Sequence, residues 1–144
     1  MRKRTLSRHQ ALKVLYEIDI NHFKEADSII RDFFEYSPAN KEVDEFANKL
    51  VRKIIENKDQ IDSLISKYAH NWQLDRMAYV DRNILRMGCS ELLFFDDIPP
   101  KVTINEAIEL AKTYGDLDSA KFVNGILDSI ARNDTPGSKK NEIC

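Results

Sequence analysis

The chain has 144 residues, with 22 Lys and Arg against 24 Asp and Glu, a formal net charge of −2. That balance argues against a uniformly basic nucleic-acid coat and against an acidic disordered tail, and the length fits one compact domain. Four Gly and four Pro are too few for a turn-rich β-sandwich or barrel, while two cysteines, Cys89 and Cys144, form no disulfide framework and point to a reducing, cytoplasmic setting.

Apolar spacing predicts an all-α fold of about seven helices. The first runs from Ser7 to about Asn21, with Ala11, Leu12, Val14, Leu15 and Ile18 as its stripe. A shorter helix carries Ile29, Ile30, Phe33 and Phe34 and is stopped by Ser37-Pro38. Val43, Phe46, Ala47, Leu50, Val51, Ile54 and Ile55 recur at three and four, the mark of an amphipathic third helix. Asn57-Lys58-Asp59 reads as a short break, with Asp59 a candidate N-cap, and Ile61, Leu64, Ile65 and Tyr68 continue the same period, as either a separate helix or a kinked extension of the third.

A connector near 70–76 leads into a long helix from about Met77 to Phe95. Thr103 and Glu106 have the spacing of a capping box for the next helix, and Gly115 suits its C-terminal positive-φ position. Asp118 or Ser119 is expected to cap a last helix with Phe122, Val123, Ile126, Leu127 and Ile130 inward. A close helix contact at Gly125 would make a large residue there destabilising. Residues 133–144 have no period and read as a flexible tail. The expected organisation is one domain over 1–132, with a basic arm over 1–8 and two packed helical subdomains that divide near 70–76. No apolar h-region follows the basic N-terminus and no apolar run approaches ~18 residues, so neither a signal peptide nor a membrane span is expected.

Few residues suggest catalysis. His9, His22 and His70 lack metal-ligand spacing to each other or to cysteine, and no phosphate-cradling glycine motif occurs. No metal or cofactor is expected. Glu106, Glu109 and Lys112 read as a cap carboxylate and an exposed ion pair, and Cys89 as a buried, inert thiol. The charge is segregated, however. Residues 1–13 carry five cations and no acid, whereas residues 14–66 carry 7 cations and 12 acids. A basic arm can follow a phosphate backbone, and arginine stacks on unpaired bases.

Three stretches sharpen this. Val80-Asp81-Arg82-Asn83-Ile84-Leu85-Arg86 with Glu91-Leu92, Pro99 through Lys112, and Tyr114-Gly115 followed by Ser119 and Lys121 through Asp128 resemble the NusB family. Arg8, Ala11, Leu15 and Tyr16 fit that family's opening pattern, and the likeness covers roughly residues 4–131.

The resemblance implies a non-enzymatic, all-helical transcription antitermination factor. Its implied partners are single-stranded boxA RNA and NusE, a small-subunit ribosomal protein; other Nus factors and RNA polymerase are reached indirectly. Carried over residue by residue, it implies RNA contacts at Arg2, Lys3, Arg4, Arg8, Tyr68, Asp118, Lys121 and Phe122, with Arg8 the most secure of the arm. It implies a protein-partner face at Tyr16, Arg76, Asp81 and Arg82. Phe122 has a core alternative, Asp118 a plain capping one, and the partner-face residues an alternative as exposed helix surface. The acidic stretch 14–36, with two cations and six acids, would face a basic ribosomal protein. The alternatives are an RNA-binding ribosome-maturation helper, an enzyme accessory domain and a helical protein–protein adaptor; a homodimer of the free protein stays open.

Overall fold

The computed structural model describes residues 2–36, 40–70 and 72–140, apart from the side chains of Ser138 and Lys140. The expected stop at Ser37-Pro38 and the residue Cys144 lie outside that range. The helices are α1 (Lys3–Ile20), α2 (Ala26–Tyr36), α3 (Lys41–Glu56), α4 (Lys58–Tyr68), α5 (Tyr79–Phe94), α6 (Pro100–Tyr114), α7 (Ser119–Asn133) and the single turn α8 (Gly137–Lys140). A 3-10 turn, Leu74–Arg76, precedes α5, and no strand occurs among the described residues.

The helix starts differ in detail from their sequence signals. Asn40 caps α3, its side chain accepting from the Glu42 amide at 2.8 Å. The break before α4 falls at Asn57, so Asp59 sits in the first turn of α4 rather than at its cap. Pro100 is at the first position of α6, where its fixed φ is pre-organised and its missing N–H costs nothing. The capping box therefore does not form. Thr103 lies inside α6 and donates to Glu91 Oε1 at 2.9 Å, while Glu106 faces α1. Gly115 has φ −93° and ψ −169°, so positive φ is not its reason. A Cβ there would come within 2.6 Å of Ser119 Cβ and 2.8 Å of the Ala111 carbonyl oxygen.

Helix α5 is the axis of the fold. It packs against α1, α3, α4, α6 and α7, and every residue from Asn83 to Leu92 is buried. A helix surrounded this way needs apolar or fully paired groups on all sides. Its buried charged and amide side chains are paired accordingly, whereas the buried Ser90 hydroxyl has no hydrogen-bond partner among the described residues. Arg86 reaches Asp62 and Asp19, Asn83 donates to Asp19, and Glu91 receives Arg8. Because α5 belongs to both the N-terminal and the C-terminal helices, the two sets share one core. Cys89 lies in it, and burial pushes its thiol up to about 12.

The chain after α7 turns back onto α5. Thr135 is buried, and the Lys139 ammonium, itself only 2% exposed, donates to the carbonyl oxygens of Glu91 (3.0 Å) and Phe95 (2.8 Å). The expectation of a flexible tail is thus corrected for residues 133–140: a cation sits at the C-terminal end of α5, adding a charged donor to two carbonyls that already accept the Phe95 and Ile98 amides.

Candidate nucleic-acid interface

The basic N-terminal segment is helical from Lys3 onward, so most of the expected arm is the first two turns of α1. Arg2, Lys3 and Arg4 are exposed there. Lys3 pairs with Glu42 at 3.0 Å; Arg4 pairs with Asp97 at 3.0 Å and lies 4.5 Å from the centre of the Phe46 ring. Burial pushes the Asp97 carboxyl up, but the hydrogen bond and charge of Arg4 outweigh it and hold the group below its ordinary range. Exposed pairs of this kind contribute about 0–1 kcal/mol, so a phosphate can displace the acids.

Arg8 does not belong to this surface. Its guanidinium is 3% exposed and grips Glu91 with two hydrogen bonds, Nε to Oε2 at 2.8 Å and Nη2 to Oε1 at 2.9 Å. Nη1 lies 3.3 Å from Glu106, which also accepts from Thr5. Arg4 and Arg8 share one face of α1, both over the Phe46 ring, and the step of one turn along the axis carries the side chain from the exposed start of the helix to the point where α1 is covered by α5 and α6. The RNA contact expected of Arg8 is therefore corrected to a buried structural ion pair.

A second cluster forms where the starts of α5 and α7 meet. Arg76, Asp81, Asp118 and Phe122 line one cleft of about 270 Å³, together with Trp72 and Ser119. Residues assigned from sequence to two different partners thus share a wall. Trp72 meets Phe122 edge to face, ring centres 5.8 Å apart, and is 58% exposed. Sequence reasoning placed Trp72 in the connector and gave it no role; a large ring in an otherwise polar linker was the available signal.

Asp118 occupies the N-cap position of α7, but its side chain makes no capping bond. Asp116 organises the turn instead, its Oδ1 accepting from the Asp118 amide at 3.0 Å and from the Ser119 hydroxyl at 3.2 Å. Asp81 Oδ1 is buried without a hydrogen-bond partner. Burial raises the Asp81 pKa and the charge of Asp116 reinforces this, while the neighbouring Ser119 hydroxyl opposes it. Lys121 is exposed beside Phe122, whose ring is half-buried.

The remaining residues lie apart. The Tyr68 hydroxyl donates to Asp134 Oδ2 at 2.6 Å, beyond the C-terminal end of α7 and far along that helix from Phe122. Tyr16 is 41% exposed and meets Tyr79 edge to face at 5.7 Å, beside Val80 and Tyr114. Arg82, expected on the partner face, grips Asp19 through Nε at 2.6 Å and Nη2 at 2.7 Å and donates to the Leu74 carbonyl oxygen at 3.2 Å. Its side chain is 11% exposed. Arg82 is thus a clamp between α1 and α5 rather than a free surface group, and Asp19, buried under it, leaves the acidic face of residues 14–36. Burial raises the Asp19 pKa, but the bonds and charges of Arg82, Arg86 and Asn83 prevail and hold it low.

The chain is similar to known proteins over most of its length. It matches the NusB family over residues 5–132. It is 44% identical over 128 residues to the transcription antitermination protein NusB of Bacillus licheniformis, covering 89% of this chain and 95% of the relative. Its fold is similar to that of NusB from T. maritima, with a TM-score of 0.87, 40% identity and 98% of each chain covered. It is also similar to a chain in the crystal structure of antitermination factors NusB and NusE in complex with double-stranded RNA, with a TM-score of 0.81, 34% identity, and 92% of this chain and 98% of the other covered. With the likeness spanning α1 through α7, the chain belongs to the NusB family.

Proposed function

We propose that this chain is a transcription antitermination factor, a binding protein rather than an enzyme. It binds boxA-type single-stranded RNA together with NusE in the bacterial cytoplasm and promotes read-through by RNA polymerase, with the other Nus factors joining through that complex. The observation that carries the reading is the run Arg2-Lys3-Arg4, three consecutive exposed cations on one rigid helix start. Relatives named as antitermination proteins, and the NusB–NusE–RNA structure, support it.

Arg2, Lys3, Arg4 and Lys121 contact phosphates; Tyr68 and Phe122 offer rings to unstacked bases, and Asp118 offers an acceptor to a base edge. Tyr16, Arg76 and Asp81 meet NusE. The exposed acids Glu17, Glu25, Asp27, Asp32 and Glu35 steer the encounter with that basic protein. Two weak contacts joined in one complex give an affinity neither gives alone.

A titration of boxA RNA with and without NusE tests this. Binding is expected to tighten when NusE is present, and Asp81→Lys is expected to abolish that gain while leaving helicity unchanged. Equal affinity with and without NusE would favour the ribosome-maturation alternative. Preference for a duplex over the single strand would overturn the base-stacking roles of Tyr68 and Phe122.

A further inference from the structure

The cationic surface at the start of α1 continues across α3. Phe46, Lys49 and Lys53 stand at i, i+3 and i+7 and share one face of α3. Phe94 and Phe95, at the end of α5, lie against that face. Phe46 and Phe95 meet edge to face with centres 5.7 Å apart. Each ring carries a cation: Arg4 over Phe46 at 4.5 Å, Lys49 over Phe95 at 5.0 Å and Lys53 over Phe94 at 5.8 Å. The rings lay out Arg4, Lys49 and Lys53 as a row.

Among the described residues, neither Lys49 nor Lys53 makes an ion pair; Lys49 is near enough to Asp97 to help lower its pKa. By contrast Arg52, on the flank of the same helix next to Lys49, is paired with Asp27 at 3.0 Å. A ring face holds an ammonium in place without using its N–H donors. Lys49 and Lys53 are therefore positioned cations with donors to spare, in line with the exposed Arg2, Lys3 and Arg4. Lys53 is half-buried against its ring, which limits its rotamers and lowers the entropy lost on binding.

We infer that Lys49 and Lys53 extend the RNA surface into a phosphate-binding track that runs from the start of α1 along α3 and holds the strand outside the recognised element. The inference rests on the proposed RNA-binding function and goes beyond it, since it adds a second, sequence-independent segment to the path. An RNA backbone is the occupant because the row is continuous with Arg2-Lys3-Arg4 and presents cations without a pocket for a base.

The test uses the full chain with NusE and two RNAs, the boxA element alone and the same element flanked on both sides by oligouridine. The double variant Lys49→Gln/Lys53→Gln is compared with Lys112→Gln/Arg132→Gln, which makes the same charge change at exposed positions of α6 and α7. On the flanked RNA, the first variant is expected to lose about 1.4 from the log–log salt slope, about 0.7 for each phosphate contact. On the bare element it should match wild type, and Lys49→Arg/Lys53→Arg should restore the slope. An unchanged slope, with wild type binding both RNAs, would overturn the track and leave the proposed function standing. Equal losses in both variants would reduce the effect to net charge and also overturn the track. Failure of wild type to bind either RNA would remove the function and the track together.

Discussion

Arg4 and Arg8 are four residues apart on one helix, and they do opposite things. Arg4 stays at the solvent edge in an exposed pair with Asp97, whereas Arg8 is buried against Glu91 and Glu106. Arg8→Ala leaves the Glu91 carboxylate buried, with Thr103 still donating to it. Breaking a buried pair in this way costs about 3–5 kcal/mol. Thermal melts are therefore expected to show a large loss of stability for Arg8→Ala. Arg4→Ala is expected to melt like wild type and to lose about 0.7 from the RNA salt slope. An Arg8→Ala protein of native stability with an altered slope would return Arg8 to the RNA surface. The sequence showed both arginines as members of one charge cluster. Which of them is free depends on where Glu91 lies, 83 positions away along the chain.

The helices show which local signals decide and which are overridden. Periodicity located all seven long helices, because a stripe at three and four can be buried in no other way. The capping signals fared less well, since several residues suit each end and tertiary partners choose among them. Pro100 started α6 and released Thr103 and Glu106 to bind Glu91 and α1. Of the two readings of Gly125, a close helix contact or an exposed position, the structure has the second, and the close approach is found elsewhere. Gly125 has open space around it, whereas a Cβ on Gly88 would lie 2.6 Å from Leu127 Cδ1 inside the core. Gly88→Ala is therefore expected to destabilise by about 1–3 kcal/mol through overpacking of α5 on α7. Gly125→Ala is expected to be neutral or to stabilise by up to about 1 kcal/mol through helix propensity. Urea unfolding of the two variants checks the pair. Equal effects would show that the α5–α7 contact does not require a glycine.

At the scale of the whole molecule, α5 ties the chain's ends together. Arg8 near the start reaches Glu91, and Lys139 near the end reaches the Glu91 and Phe95 carbonyl oxygens. Lys139→Met leaves those two carbonyls without the ammonium and is expected to cost roughly 1–3 kcal/mol. A chain ended at Asp134 should lose at least as much, since the buried Thr135 goes with it. Native urea midpoints for both would show that this segment does not hold α5. By itself the sequence determined the helical class, the order of the elements, their apolar faces and the family, because these follow from local period and from motif spacing. Only the tertiary structure decided which charges are free. It withdrew Arg8 and Arg82, joined Trp72 to Phe122, and set Lys49 and Lys53 in line with Arg4. The physical reason is that a charge's availability is fixed by its partner and its exposure, and in a helical globule both come from residues distant in sequence.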